Sequence, residues 1–76
     1  DNDKLGILNI VTNLGITFSK ASQPREAQKY FDEALQLSNE LQAFASLPSI
    51  YKASAANYAR QGKMKEAYET QLKYDE

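Results

Sequence analysis

Apolar positions recur along this chain with a period near 3.6 and never alternate with a period of 2 for long. Over residues 5–18 they fall at Ile7, Ile10, Val11, Leu14 and Phe18, the i, i+3, i+4, i+7 stripe of an amphipathic helix. Asp3 stands before this stripe as a candidate N-cap, and the run Lys20-Ala21-Ser22-Gln23 closes it. Pro24 suits the first turn of a second helix, where its missing N–H costs nothing, and Glu26 in the same turn complements the helix dipole. The second stripe is Ala27, Tyr30, Phe31, Ala34, Leu35, Leu37 and Leu41, ending near Gln42 without a Gly stop. A third helix starts between Ala43 and Leu47, because Pro48 has to lie in its first turn. Its stripe is Leu47, Ile50, Tyr51, Ala55, Tyr58 and Ala59, and Gly62 follows at the usual left-handed C′ position. A fourth helix begins near Lys63 or Met64 and carries Ala67, Tyr68 and Leu72. The pattern predicts an all-α protein of four helices, at about 3–21, 24–41, 43–61 and 64–76, with short connections and antiparallel neighbours.

The four helices read as two pairs. Shifting the sequence by 40 residues sets Val11 on Tyr51, Gly15 on Ala55, Phe18 on Tyr58 and Lys20 on Arg60. The same shift sets Ser22 on Gly62, Arg25 on Lys65 and Glu26-Ala27 on Glu66-Ala67. Identities are few, but small meets small, aromatic meets aromatic and basic meets basic. A helix pair repeating every 20–50 residues is the mark of a solenoid. The first unit spans residues 1–42 and the second residues 43–76.

Val11-x-x-Leu14-Gly15-x-x-Phe18 followed by Ala27-x-x-x-Phe31-x-x-Ala34 resembles a tetratricopeptide repeat. In the second copy Tyr51, Ala55, Tyr58 and Ala67 agree, whereas Ser54 replaces Leu, Gln71 replaces the second aromatic, and the Pro near the repeat end is missing. The resemblance implies antiparallel helix-turn-helix units, a fragment of an α-solenoid. It also implies that Gly15 and Ala27 are small so that paired helices approach closely, and that Phe18 and Phe31 fill the space between repeats. The period of 40 exceeds the family's usual 34. Six extra residues over two helices lengthen each by about 4.5 Å. This longer type is similar to repeats of bacterial signalling proteins, such as sensor histidine kinases with helical-repeat sensor regions and peptide-sensing regulators. Residues 66–76 resemble the last repeat before a kinase-linking helix.

What the resemblance implies about function is surface recognition of a protein or peptide. In this family the first helix of each pair lines a concave face. Carried over, that face holds Asn9, Thr12, Asn13, Ile16 and Lys20 in the first repeat, and Ser49, Lys52, Ala56 and Arg60 in the second. The family's clamp for a terminal carboxylate is not reproduced, since Thr12 and Ile16 stand where its Lys and Asn would be. Asn13, Lys20, Lys52 and Arg60 leave the face polar and mildly basic, as suits an acidic or extended peptide. The other reading of the same residues is an ordinary solvated helix face on a structural scaffold or dimerisation segment.

Composition narrows the chemistry. The 76 residues contain no Cys, His or Trp, which excludes disulfides, thiolate or imidazole metal centres and any His-based triad. There is no phosphate-binding Gly loop, so neither an enzyme nor a cofactor site is expected. Asp32-Glu33 and Asp75-Glu76 are sequence neighbours about 100° apart on a helix, not facing dyads; Asp32 and Glu33 are expected to pair locally with Lys29 or Gln36. Nine basic and ten acidic residues give a net charge of −1, and the basic set Lys63, Lys65 and Lys73 is interleaved with Glu66 and Glu69. This segment therefore carries no basic stripe for nucleic acid. The longest uncharged run, residues 5–19, is too short to span a bilayer and no secretory leader opens the segment. A soluble segment of a bacterial protein, cytoplasmic or periplasmic, is the expectation. Two repeats with a short fourth helix fall below the three or so that an array needs. Tyr68, Leu72 and Tyr74 lack a following helix to pack on, so self-association through an exposed repeat end is expected.

Overall fold

The computed structural model describes residues 2–75. Four α-helices follow one another: α1 (Asn2–Lys20), α2 (Pro24–Glu40), α3 (Leu47–Arg60) and α4 (Met64–Asp75), with no strand among the described residues. The fold is all-α, with α1 packed along α2, α3 along α4, and α2 joining the two hairpins through α3. The Cα envelope measures 37 × 28 × 13 Å, a slab rather than a ball.

One boundary differs from the pattern-based expectation and another is made definite. α1 begins at Asn2, so Asp3 lies inside its first turn instead of at the N-cap, where its carboxylate still meets the positive end of the dipole. The third helix starts at Leu47, the last position of the expected range 43–47, because Phe44–Ser46 form a single 3₁₀ turn. Pro48 has no N–H to give to the carbonyl of Phe44, so the ladder is interrupted and the turn before it tightens.

The helix stops share one geometry. Ser22, Gln42 and Gly62 all have positive φ, at 63°, 54° and 76°, and stand twenty residues apart. At each stop the next residue's N–H reaches back five residues: Gln23 to Phe18 O, Ala43 to Ser38 O and Lys63 to Tyr58 O, all at 2.9 Å. The left-handed residue itself reaches back three, to Ser19, Asn39 and Ala59. This paired closure satisfies carbonyls that a helix end leaves open. Only the third stop uses Gly.

Of the first apolar stripe only Val11 enters the core cluster. Leu8 and Val11 are buried, at 2% and 7% exposure, while Ile7, Ile10 and Leu14 are 49%, 60% and 37% exposed. α1 has two apolar faces, and the one with the smaller residues turns inward: Leu8, Val11, Gly15 and Ser19 are all buried. The cause is proximity. A Cβ on Gly15 would lie 2.6 Å from Cε1 of Phe31, so α1 and α2 meet at a distance only a Gly permits. Leu8, Val11, Ala34 and Ile50 form the core cluster, with Tyr30, Leu35, Leu37 and Ala43 packed against it. Phe31 is fully buried, whereas Phe18 is half-buried and stacks on Tyr30 of α2 at 5.3 Å. Phe18 thus fills space inside the first hairpin, not between hairpins. Tyr51 and Tyr58 are half-buried, and Ala59, read as part of the third stripe, is exposed. The Lys73 ammonium lies 5.9 Å from the Tyr51 ring centre, binding α4 to α3. Tyr68 and Leu72 are 65% and 45% exposed, and Tyr74 is half-buried.

Candidate functional site: a groove between α1 and α3

The groove rests on the joint beneath it, which is polar. Asn57 Nδ2 donates to Pro24 O at 2.7 Å and to Gln28 Oε1 at 2.9 Å. Gln28 Nε2 donates to Ser54 Oγ and to Asp32 Oδ1, each at 3.0 Å. Gln28, Ser54 and Asn57 are all buried. The Asn57 and Gln28 amide groups that donate are paired, while Asn57 Oδ1 is buried without a partner; the directional bonds fix the sliding register of α3 on α2. The local pairs differ from the expectation. Lys29 meets Glu26 at 3.4 Å, Gln36 donates to Glu40 at 3.4 Å, and Asp32 takes its bond from Gln28, one turn away on the same helix face. The pair Asp75-Glu76 lies outside the described side chains.

Above this joint a cavity of about 350 Å³ opens between α1 and α3. Phe31 and Ile16 form its floor with Ala53 and Ala56, and Lys20, Lys52 and Arg60 stand around it with Ser19 and Ser49. Among the described residues no carboxylate lines it. Three cations around an apolar floor produce a one-signed field in a concave place, which attracts anions although the chain's net charge is −1. Farther along the same face a cavity of about 240 Å³ is lined by Leu8, Asn9, Thr12, Ala45, Ser46, Ser49 and Ile50.

The structure brings most of the family-derived positions together. Ile16, Lys20, Ser49, Lys52, Ala56 and Arg60 share the first cavity, and Asn9, Thr12 and Ser49 share the second. Asn13 lines neither and is exposed on α1. Two of these residues are already engaged. Thr12 Oγ1 donates to Leu8 O at 2.8 Å in its own helix, so the hydroxyl is turned from the groove to the backbone. Arg60 Nη1 donates to Ser19 O at 2.6 Å, closing the carboxyl end of α1 from α3. Lys20 and Lys52 are exposed.

Sequence reasoning missed Phe31 and Ala53 as groove residues, and it missed the polar joint entirely. The signal was present: Ile50, Ser54 and Asn57 are spaced i, i+4, i+7, in phase with one buried helix face. Among the described residues no three metal-ligating side chains gather, and no helix is long and apolar enough to cross a membrane. No family model, no curated protein and no solved structure matches this chain.

Proposed function

We propose that this chain is a protein-recognition module of tetratricopeptide-repeat type whose α1/α3 groove receives an extended acidic segment of a partner. The observation that carries the reading is the cavity itself: an apolar floor at Ile16 and Phe31, three cations around it and, among the described residues, no carboxylate. Such a site takes an apolar side chain into the floor while carboxylates on either side meet the cations. Charge complementarity of this kind sets specificity and association rate more than raw affinity. The forty-residue period points to a bacterial regulatory protein as parent.

The test is fluorescence anisotropy with labelled peptides that alternate Asp or Glu with Leu, set against isomers in which Lys replaces the acids. Tight preference for the acidic series, weakened by salt, is expected. Lys20→Glu and Lys52→Glu each reduce acidic-peptide affinity about tenfold, as loss of an interfacial charge pair would. Arg60 is left intact because it also closes α1. Equal binding of both peptide series, or binding indifferent to Lys52→Glu, refutes the groove reading.

A further inference from the structure

Resting on the reading of the groove as an acidic-peptide site, we infer that the partner segment is extended and carries two anchors of different kinds. An apolar residue flanked by carboxylates fills the basic cavity, and a small uncharged residue three or four positions away fills the second. The two cavities belong to one groove, since Ser49 lines both. On α1 the second cavity takes Leu8 and Thr12, and the basic one takes Ile16 and Lys20. On α3 the order is the same, with Ile50 in the second cavity and Ala56 and Arg60 in the basic one. The spacing follows from the helix rise. Ile16 and Lys20 stand eight residues after Leu8 and Thr12, which is about 12 Å at about 1.5 Å per residue. A strand-like segment rises about 3.3 Å per residue and covers that span in three or four residues, whereas a helix needs about eight.

The two ends of the groove differ in charge. Lys20, Lys52 and Arg60 all stand at the basic cavity, and among the described residues no charged side chain of either sign lines the second. The apolar wall of the second cavity is Leu8 and Ile50, both buried, and its polar groups are the short side chains of Asn9, Ser46 and Ser49. The Thr12 hydroxyl is engaged by Leu8 O. A carboxylate placed there would leave water for a wall of Leu8 and Ile50 with no cation in the cavity to meet it. Negative charge is therefore favoured in one cavity and disfavoured in the other. The Asn9 amide and the Ser46 and Ser49 hydroxyls suit the backbone of an extended segment, whose N–H and C=O groups no helix uses. At about 240 Å³ against about 350 Å³, the second cavity also takes the smaller side chain. The partner is recognised by where its charge stops as well as by where its charge lies.

Anisotropy of labelled peptides on the whole chain tests the spacing. Each peptide holds one Leu between Asp and Glu on a Gly-Ser background, and a single Ala-to-Glu exchange is moved from two to eight positions away from the Leu on either side. Glu at three or four positions on one side is expected to weaken binding about tenfold, and Glu elsewhere to leave it unchanged or tighten it. Asn9→Lys then puts a cation beside the second cavity. Asn9 is exposed, and circular dichroism checks that the variant folds. It should bring the weakened Glu peptide back to within about threefold of its Ala counterpart, a selective rescue that a folding defect would not produce. Weakening at seven or eight positions instead of three or four overturns the extended register in favour of a helical partner. Acidic peptides that bind equally wherever the Glu stands, to wild type and to Asn9→Lys alike, overturn the two-anchor inference and leave the groove reading in place. Failure of every acidic peptide to bind overturns both.

Discussion

Gly15 offers a test in which two well-known effects oppose each other. In the middle of a helix, Gly→Ala ordinarily stabilises by about 1 kcal/mol, because Ala loses less backbone entropy on folding. At Gly15 the added Cβ would stand 2.6 Å from Phe31 Cε1, 2.8 Å from Cδ1 and 3.1 Å from Cζ. Contacts that short cannot persist, so either the ring or the helix has to move. Phe31 is at 0% exposure and lies against Gly15 on one side and the groove floor on the other, so the ring cannot swing away without disturbing the core. Overpacking of this kind costs about 1–3 kcal/mol. The clash therefore matches or exceeds the helix gain, and Gly15→Ala is expected to be neutral to destabilising by up to about 2 kcal/mol.

The internal control is Gly6, on the same helix, where a Cβ meets nothing within 4 Å. Gly6→Ala should gain up to about 1 kcal/mol. The propensity term largely cancels between the two variants, so their difference isolates the close approach of α1 to α2, at about 1–3 kcal/mol. For a domain of this length each kcal/mol moves the melting temperature by about 4–8 °C. Urea denaturation followed by circular dichroism gives both free energies, and Gly15→Ala combined with Phe31→Leu should show favourable coupling as the smaller side chain makes room. If Gly15→Ala raises stability as much as Gly6→Ala does, the helices are not held at the separation described, and the account of why the smaller face of α1 turns inward fails.

Further outcomes follow from the helix stops, the polar joint and the tyrosines. Ser22→Gly and Gln42→Gly should each stabilise by about 0.5–1 kcal/mol, since both side chains sit at positive φ, where Gly carries no steric cost; thermal melts showing no gain would remove the strain argument. Asn57→Leu should cost about 2–3 kcal/mol, because Pro24 O and Gln28 Oε1 lose their buried donor, and a loss below about 0.5 kcal/mol would mean that the joint does not depend on it. Burial above all, and then the Asp32 and Glu66 carboxylates, raise the Tyr58 phenol above its ordinary 10.0. The folded chain thus holds this proton more firmly than the unfolded one, so the associated stability is intact below about pH 10 and is lost as pH rises through the folded value. Tyr58→Phe should therefore lose less stability than wild type between about pH 9 and pH 11, and parallel alkaline losses in the two proteins would contradict that direction.

Helix number and type were legible because the apolar period is helical throughout and the two Pro residues mark starts. The pairing of the helices into two hairpins was legible as well, since short connections make sequence neighbours antiparallel. The inward face of α1 was not. Periodicity weights bulk, so Ile7, Ile10 and Leu14 were grouped with Val11 in one stripe, and the buried Leu8 was left out. Burial followed the closest approach that Gly15 permits, a property of the pair α1 and α2 and not of α1 alone. The helix ends near Ser22 and Gln42 were expected, but their left-handed geometry was hidden because neither residue favours positive φ; Gln42 stands 20 and Ser22 40 residues before Gly62. The polar joint escaped because Gln, Ser and Asn are ordinarily surface residues, and what buries them is a partner 26 or more positions away in the chain. Of the groove, the positions on α1 and α3 were accessible through the family resemblance, while the Phe31 floor comes from α2 and needed the packing to be seen.

The slab geometry has a consequence for the order in which the chain loosens. At 13 Å across, each helix leans mainly on its neighbours in sequence and none is enclosed on all sides. Protection against amide exchange should then fall away from the middle, slowest in α2 and α3 where the buried bonds converge, fastest in α4, where Met64, Tyr68 and Leu72 face water. A segment that docks on α4 would tighten the outermost rung first and pass the gain inward one helix at a time, so that occupancy at the edge is felt as rigidity at Asn57 before any helix has moved.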